Sequence, residues 1–146
     1  MILPNAGKMP SLIDAAHKIH TESFTGDELA PRNLFIHKFA TGTVFIEFTP
    51  DGEMKGYAIV LDSSGVYPTV WEIAVAADFR HSGVGGRLID EIIEWAGHTR
   101  EYGIELTVRA DNIRAIRLYE AKGFHKERRL RKFYASGDGL LYRREL

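Results

Sequence analysis

The sequence predicts an α/β domain built on a mixed sheet, and three observations carry that prediction. A hairpin pattern with two-residue alternation occupies residues 42–65. Apolar strand segments alternate with helical segments over residues 69–124, and a second hairpin closes the chain. At 146 residues, with 45% hydrophobic and 27% charged side chains, the chain suits a single domain over residues 1–146, able to bury one substantial core.

The elements follow in order. "SLIDAAHKIHTESF" opens with Ser11 as a helix cap and places Leu12, Ala15, Ala16 and Ile19 at helical spacing. A second short helix is expected over Glu28 to Phe39, started or interrupted by Pro31. In "GTVFIEFTPDGEMKGYAIVL", Val44, Ile46 and Phe48 alternate with Phe45 and Glu47, "PDGE" supplies turn chemistry, and "GYAIVL" returns. "TVWEIAVAA" is apolar on both faces and reads as a central strand. A helix from Gly83 to about Thr99 carries Val84, Leu88, Ile92 and Trp95 or Ala96 on one stripe. "GIELTVRA" is the next strand. "DNIRAIRLYEAKGF" is a helix capped by Asp111 or Asn112 and stopped by Gly123. "RKFYASGDGLLYRREL" forms the closing hairpin, with "SGDG" at its turn.

Composition narrows the chemistry. The net charge of −1 points to neither nucleic acid nor membrane. No stretch approaches the ~20 apolar residues that span a bilayer. The N-terminal segment lacks a signal-peptide pattern, so the expectation is a cytoplasmic protein. With no cysteine there are no disulfides, thiolate nucleophiles or thiolate metal sites. His17 and His20 lie three apart on a helix without a third ligand, so no metal is expected and both read as surface or half-buried. Between Arg109 and Lys132 nine Lys/Arg face three acids, a local field suited to an anion.

That anion has a place to sit. In "WEIAVAADFRHSGVGGRLIDEIIEWA" a strand runs into three glycines within four residues and then a helix. The unpaired amides and dipole of a helix start attract phosphate. A triphosphate loop would want Lys-Ser or Lys-Thr after the glycines, which this corner lacks. A dinucleotide turn would want a third glycine where Leu88 stands, and would come at the first strand-helix unit. "RHSGVG", Arg80 to Gly85, matches the R/Q-x-x-G-x-G/A signature of the GCN5-related N-acetyltransferases (GNAT). Some thirty residues on, Asn112, Ala115, Leu118, Tyr119, Gly123 and Phe124 match the N-x-x-A-x-x-L-Y-x-x-x-G-F block of the same family. The chain therefore resembles GNAT acetyltransferases, with a flavour of the ribosomal-protein and N-terminal acetyltransferases in "LTVRADN" and in the tail.

The resemblance implies the GNAT fold: a mostly antiparallel mixed sheet with a splayed central strand pair, flanked by about four helices. It implies acetyl-CoA as co-substrate, no metal, and an amine acceptor that is a peptide or protein N terminus or a small amine. Pantetheine would bond the strand backbone at Ile73, Ala74 and Val75. The pyrophosphate would meet amides of His81, Ser82, Gly83, Val84, Gly85 and Gly86, with Arg80 setting the turn. Asn112 would meet the pantetheine carbonyl or a bridging water, and Lys122 or a nearby Arg the 3′-phosphate. A main-chain amide near Val75 would polarise the thioester carbonyl, and Tyr119 would protonate the departing sulfur. The base is expected at Glu72, with Glu105 behind it, because Thr107 stands where the ribosomal-protein enzymes carry Glu; water, or a base-free route with an amine already neutral, is the open alternative. Homodimers occur in the family. A CoA-sensing module without turnover is the non-enzymatic alternative.

Overall fold

A computed structural model describes residues 1–3, 9–62, 65–99 and 101–146. Its strands are β1 (Ile2–Leu3), β2 (Thr43–Phe48), β3 (Met54–Leu61), β4 (Thr69–Val75), β5 (Gly103–Arg109), β6 (His125–Tyr134) and β7 (Gly137–Glu145). They form one sheet in the order β1-β2-β3-β4-β5-β7-β6. Every neighbouring pair is antiparallel except β4 and β5. Four helices flank it: α1 (Pro10–Ser23), α2 (Arg32–Thr41), α3 (Val84–His98) and α4 (Ile113–Ala121).

Two apolar layers hold the sheet between the helices. One gathers Ile13, Ile19, Phe35, Phe39, Ile46 and Tyr57 beneath α1 and α2. The other gathers Phe45, Leu88, Ile89, Ile92, Ile104 and Tyr142 beneath α3. The α3 stripe falls as the periodicity requires, with Val84, Leu88, Ile89, Ile92 and Ala96 buried. Each of the four larger side chains contributes about 1.5–3 kcal/mol by leaving water.

Several local expectations shift. Ser11 does not cap α1. Met9 precedes the helix and Pro10 opens it, since a proline at the first position has φ preset and no amide to leave orphaned. The second helix begins only after Pro31, because proline holds Ala30 out of helical conformation. Gly26–Glu28 forms a separate 3-10 helix. Strand β6 starts at His125 rather than in the Arg131 region. As an edge strand exposed on both faces it shows no alternation to read. The closing turn is Ala135 and Ser136, with Tyr134 opposite Gly137, so the rest of "SGDG" belongs to β7. Strand β1, absent from the sequence reading, extends the sheet beside β2.

Two irregularities shape the centre. Strands β4 and β5 pair only at Thr69 with Glu105 and at Val70 with Leu106, then diverge. On the other side of β4, Ile59 faces Glu72 while Val60 faces Val70, so Trp71 is an extra residue, a bulge. The bulge turns Glu72 and Ala74 toward α1 while Val70 faces α3.

Candidate active site

The divergence of β4 and β5 opens a cavity of about 490 Å³. Its walls are residues 69–73 of β4 and 106–109 of β5, with Asn112, Ala115 and Tyr119 from α4. The segment from Phe24 to Leu34 and the aromatic pair Phe133 and Tyr134 close its far end.

Backbone direction along β4 follows from one bond. The Ala76 amide donates to the Lys55 carbonyl at 2.8 Å. Antiparallel alternation then turns the backbone groups of Ala74 and Glu72 toward β3, and those of Ile73 and Val75 toward the gap. Ala74 was expected to serve the gap with its neighbours. It instead bonds β3 and buries its side chain under α1. The Val75 carbonyl is occupied by Arg80, whose Nε donates to it at 3.0 Å while Nη2 donates to Ser23 Oγ at 3.1 Å. Arg80 thus ties the glycine corner to the end of β4 and to α1.

At the corner, His81 (φ 64°) and Gly83 (φ 87°) adopt left-handed conformations, and Gly83 is the residue before α3. Gly83 offers no side-chain cap, and Arg87 is the first amide of α3 bonded to that end, donating to the Gly83 carbonyl at 3.0 Å. The amides of Val84, Gly85 and Gly86 therefore point out of the helix end. A Cβ at Gly85 would come no closer than 3.5 Å to Leu118, so the fold itself does not demand glycine there. Ser82 Oγ donates to the Phe79 carbonyl, and the Arg114 guanidinium lies against the His81 ring at 2.8 Å from Nε2. Arg87 grips Glu47 at 2.7 and 2.8 Å. Lys122 is held by Asp90 at 2.9 Å. A bare helix end, ringed by guanidinium groups, suits a phosphate-bearing ligand.

Asn112 caps α4, its Oδ1 accepting from the Ala115 amide at 3.2 Å, and lines the cavity. Tyr119 packs against Phe124, and its hydroxyl has no protein partner among the described residues. Burial, with Tyr134 nearby, pushes its pKa up to about 12, so it stays a proton donor at neutral pH.

Glu72 is nearly buried, at 9% exposure. Tyr57 donates its hydroxyl to Oε2, and His20 Nδ1 lies 2.8 Å from Oε1. Burial raises the Glu72 pKa to about 7, with Glu28 adding to the rise against the Tyr57 bond. A carboxyl poised there exchanges protons near neutrality. Glu105, the second candidate, is held by Arg143 at 3.0 Å and lies outside the cavity.

The sequence reading missed two features. His20 was expected at or near the surface and is fully buried. Tyr57 carried no motif. The core residue Phe35 packs its ring, tilted by 34°, on His20 at 4.9 Å. The turn around Asp27 is also bridged to the closing hairpin. Ser136 donates its amide to Asp27 Oδ2 at 3.1 Å, and Arg109 donates to Ser136 Oγ at 2.9 Å. Arg109 also lies 3.5 Å from Glu28 and over the Tyr134 ring at 5.0 Å. Asp27, Glu28, Arg109 and Tyr134 of this strap line the cavity. Among the described residues the one group of three potential metal-ligand side chains, His125, Glu127 and Glu145, is exposed, with Arg143 3.4 Å from Glu127. No helix there is long and apolar enough to cross a membrane.

Residues 12–124 match the profile of the acetyltransferase (GNAT) family, most of the chain and both motifs. The chain belongs to the GNAT family. An uncharacterized protein of Mycobacterium leprae is 32% identical over 142 residues, and the [ribosomal protein bS18]-alanine N-acetyltransferase of Escherichia coli is 34% identical over 96. These matches cover 93% and 64% of this chain, which spans 39% of the first relative and 62% of the second. Among solved structures, the Escherichia coli ribosomal-protein-S18-alanine N-acetyltransferase shares the GNAT fold at a TM-score of 0.84 and 24% identity, covering 99% of this chain and 91% of its own. Ard1 from Thermoplasma volcanium does so at 0.81 and 24% identity, covering 100% and 97%.

Proposed function

We propose that this chain transfers the acetyl group of acetyl-CoA to the α-amine of a peptide or protein N terminus. One observation carries the reading. A single cavity joins the free strand edge at Ile73, the unpartnered Tyr119 hydroxyl and a carboxyl at Glu72 that titrates near neutrality.

Acetyl-CoA supplies a thioester carbonyl with a thiolate leaving group. The residues present fit it. The Ile73 carbonyl and the Val75 amide meet an extended amide-bearing arm as a neighbouring strand would, and the Asn112 side-chain nitrogen meets its carbonyl or a water. Amides from His81 to Gly86 hold the pyrophosphate, with Arg80 and Arg87 fixing their turn. The Ile73 amide, in the cavity with Glu72 and Tyr119, polarises the reacting carbonyl. Glu72 takes the proton that the incoming ammonium must lose, and Tyr119 gives one to the departing sulfur. The Asp27–Ser136 strap supports an acceptor that enters end-on, and the likeness to a ribosomal-protein alanine acetyltransferase supports a chain terminus.

The test supplies acetyl-CoA with a synthetic peptide bearing N-terminal alanine and one internal lysine, and spermidine in parallel. Expected is thiol release with peptide, and a mass gain of one acetyl group placed at the terminal nitrogen by fragmentation. Turnover on spermidine alone would replace the peptide reading. A melting shift with acetyl-CoA but no turnover on either would point to a CoA-sensing module.

A further inference from the structure

Glu72 is held by donors from two other elements, and one of them also grips the wall of the cavity. His20, from the last turn of α1, is fully buried and accepts at Nε2 the Ala30 amide at 2.9 Å. A backbone amide can only donate, so Nε2 must be the unprotonated nitrogen of the neutral ring. The ring hydrogen then sits on Nδ1, 2.8 Å from Glu72 Oε1, and is donated to it. Burial, with His17 beside it, holds the His20 pKa below its ordinary value, so the ring stays neutral. Tyr57 from β3 donates to the other carboxyl oxygen. Phe24 and Phe35 clamp the imidazole at ring-centroid distances of 5.2 and 4.9 Å.

We propose that His20 is a positioning residue for the reaction: locked by the Ala30 amide as its Nδ1–H tautomer, it aims the Glu72 carboxylate and ties that aim to the Ala30 wall of the acceptor cavity. The inference rests on the reading of Glu72 as the base. The charged or titratable groups around Glu72 are His20 with His17 behind it on α1, Tyr57 on β3 and Glu28 on the 3-10 turn. Arg32 of α2 lies against His17 Nδ1 at 3.1 Å rather than against Glu72. Among these His20 alone bonds both the carboxyl and the cavity wall.

Two substitutions separate its two bonds. His20→Gln places an acceptor where Nε2 was and removes the donor to Glu72. His20→Asn keeps a donor where Nδ1 was and removes the acceptor for Ala30. The measurement is the Glu72 carboxyl titration by 13C NMR, with the His20 ring 15N shifts read in the parent protein. Expected is the neutral Nδ1–H tautomer across pH 6–9. Loss of one hydrogen bond to a charged group should move the Glu72 midpoint up by about one pH unit in the Gln variant, and leave it in place in the Asn variant. With acetyl-CoA and the N-terminal alanine peptide, the acid limb of kcat/KM should follow the same pattern. A purely structural histidine would lower melting in both variants without separating their midpoints. Equal midpoints, or an Nε2–H tautomer, would overturn the proposal, and the tautomer decides it even if the Gln variant fails to fold. A parent protein inactive on the peptide would count against the proposed function while the NMR result decides this one.

Discussion

Replacing Glu72 by Gln gives the sharpest prediction, because it separates catalysis from folding. The carboxyl is held near pH 7 against an ordinary 4.5. Between those values the folded chain keeps a proton that the unfolded chain has released, so folding loses stability as pH rises. At 1.36 kcal/mol per pH unit, the full span amounts to roughly 3 kcal/mol. Glutamine carries no such titration. It also fits the site: its oxygen accepts from His20 Nδ1, and its nitrogen donates to the Tyr57 hydroxyl, which can accept. Urea unfolding of both proteins at pH 5 and pH 8 reads the effect. The parent should lose about 2.5 kcal/mol relative to the variant across that range, which begins above the lower of the two values, while other titrations cancel in the difference. Turnover should fall by ~10²-fold or more, as expected for a lost base. A pH-independent difference, or a parent that gains on the variant at pH 8, would refute the account of Glu72.

Four further outcomes are expected. Tyr119→Phe should lower turnover by ~10²-fold while the melting shift with CoA is retained; unchanged turnover would end the acid role of Tyr119. Gly85→Ala meets only ordinary contact in the fold, so its melting without ligand should match the parent while the shift with acetyl-CoA shrinks. Asp27→Ala cuts the strap to Ser136 and should raise KM for the peptide more than it lowers kcat, read from steady-state kinetics. His20 is held below its ordinary pKa, so its contribution to stability is present above about pH 6.5 and lost as pH falls; His20→Phe should flatten that acid-side loss in melting curves.

What the sequence disclosed and what it hid divide along chain distance. The glycine corner, the Asn112 cap and the Gly123 stop are written in a few adjacent residues, where backbone sterics and unpaired amides leave a direct signature. The α3 stripe was legible because burial on one helical face imposes a period. The Glu72 network joins residues 20, 57 and 72, and no local pattern links them. The bulge at Trp71 also breaks the alternation along β4, setting Glu72 on the face opposite Val70. His20 looked like a surface histidine because polar residues at helix ends usually are. Only the partners supplied by Ala30 and Glu72 make its burial tolerable. Strand β6 escaped because an edge exposed on both faces has no inside to alternate with.

The two-residue seam between β4 and β5 has a mechanical meaning. The sheet's backbone bonding runs from β1 to β4 and from β5 to β6, and among the described residues only the short run from Pro68 to Val70 stitches these halves together. A ligand arm lying along Ile73 and Val75 would act as the missing cord of that fabric, so loading the enzyme and stiffening its middle become one event. The amides of Ile73 and Val75 should then trade hydrogen with water quickly in the empty protein and slowly in the loaded one. Letting the product go means loosening the weave again, which makes departure of the spent arm the step at which this sheet is briefly least whole.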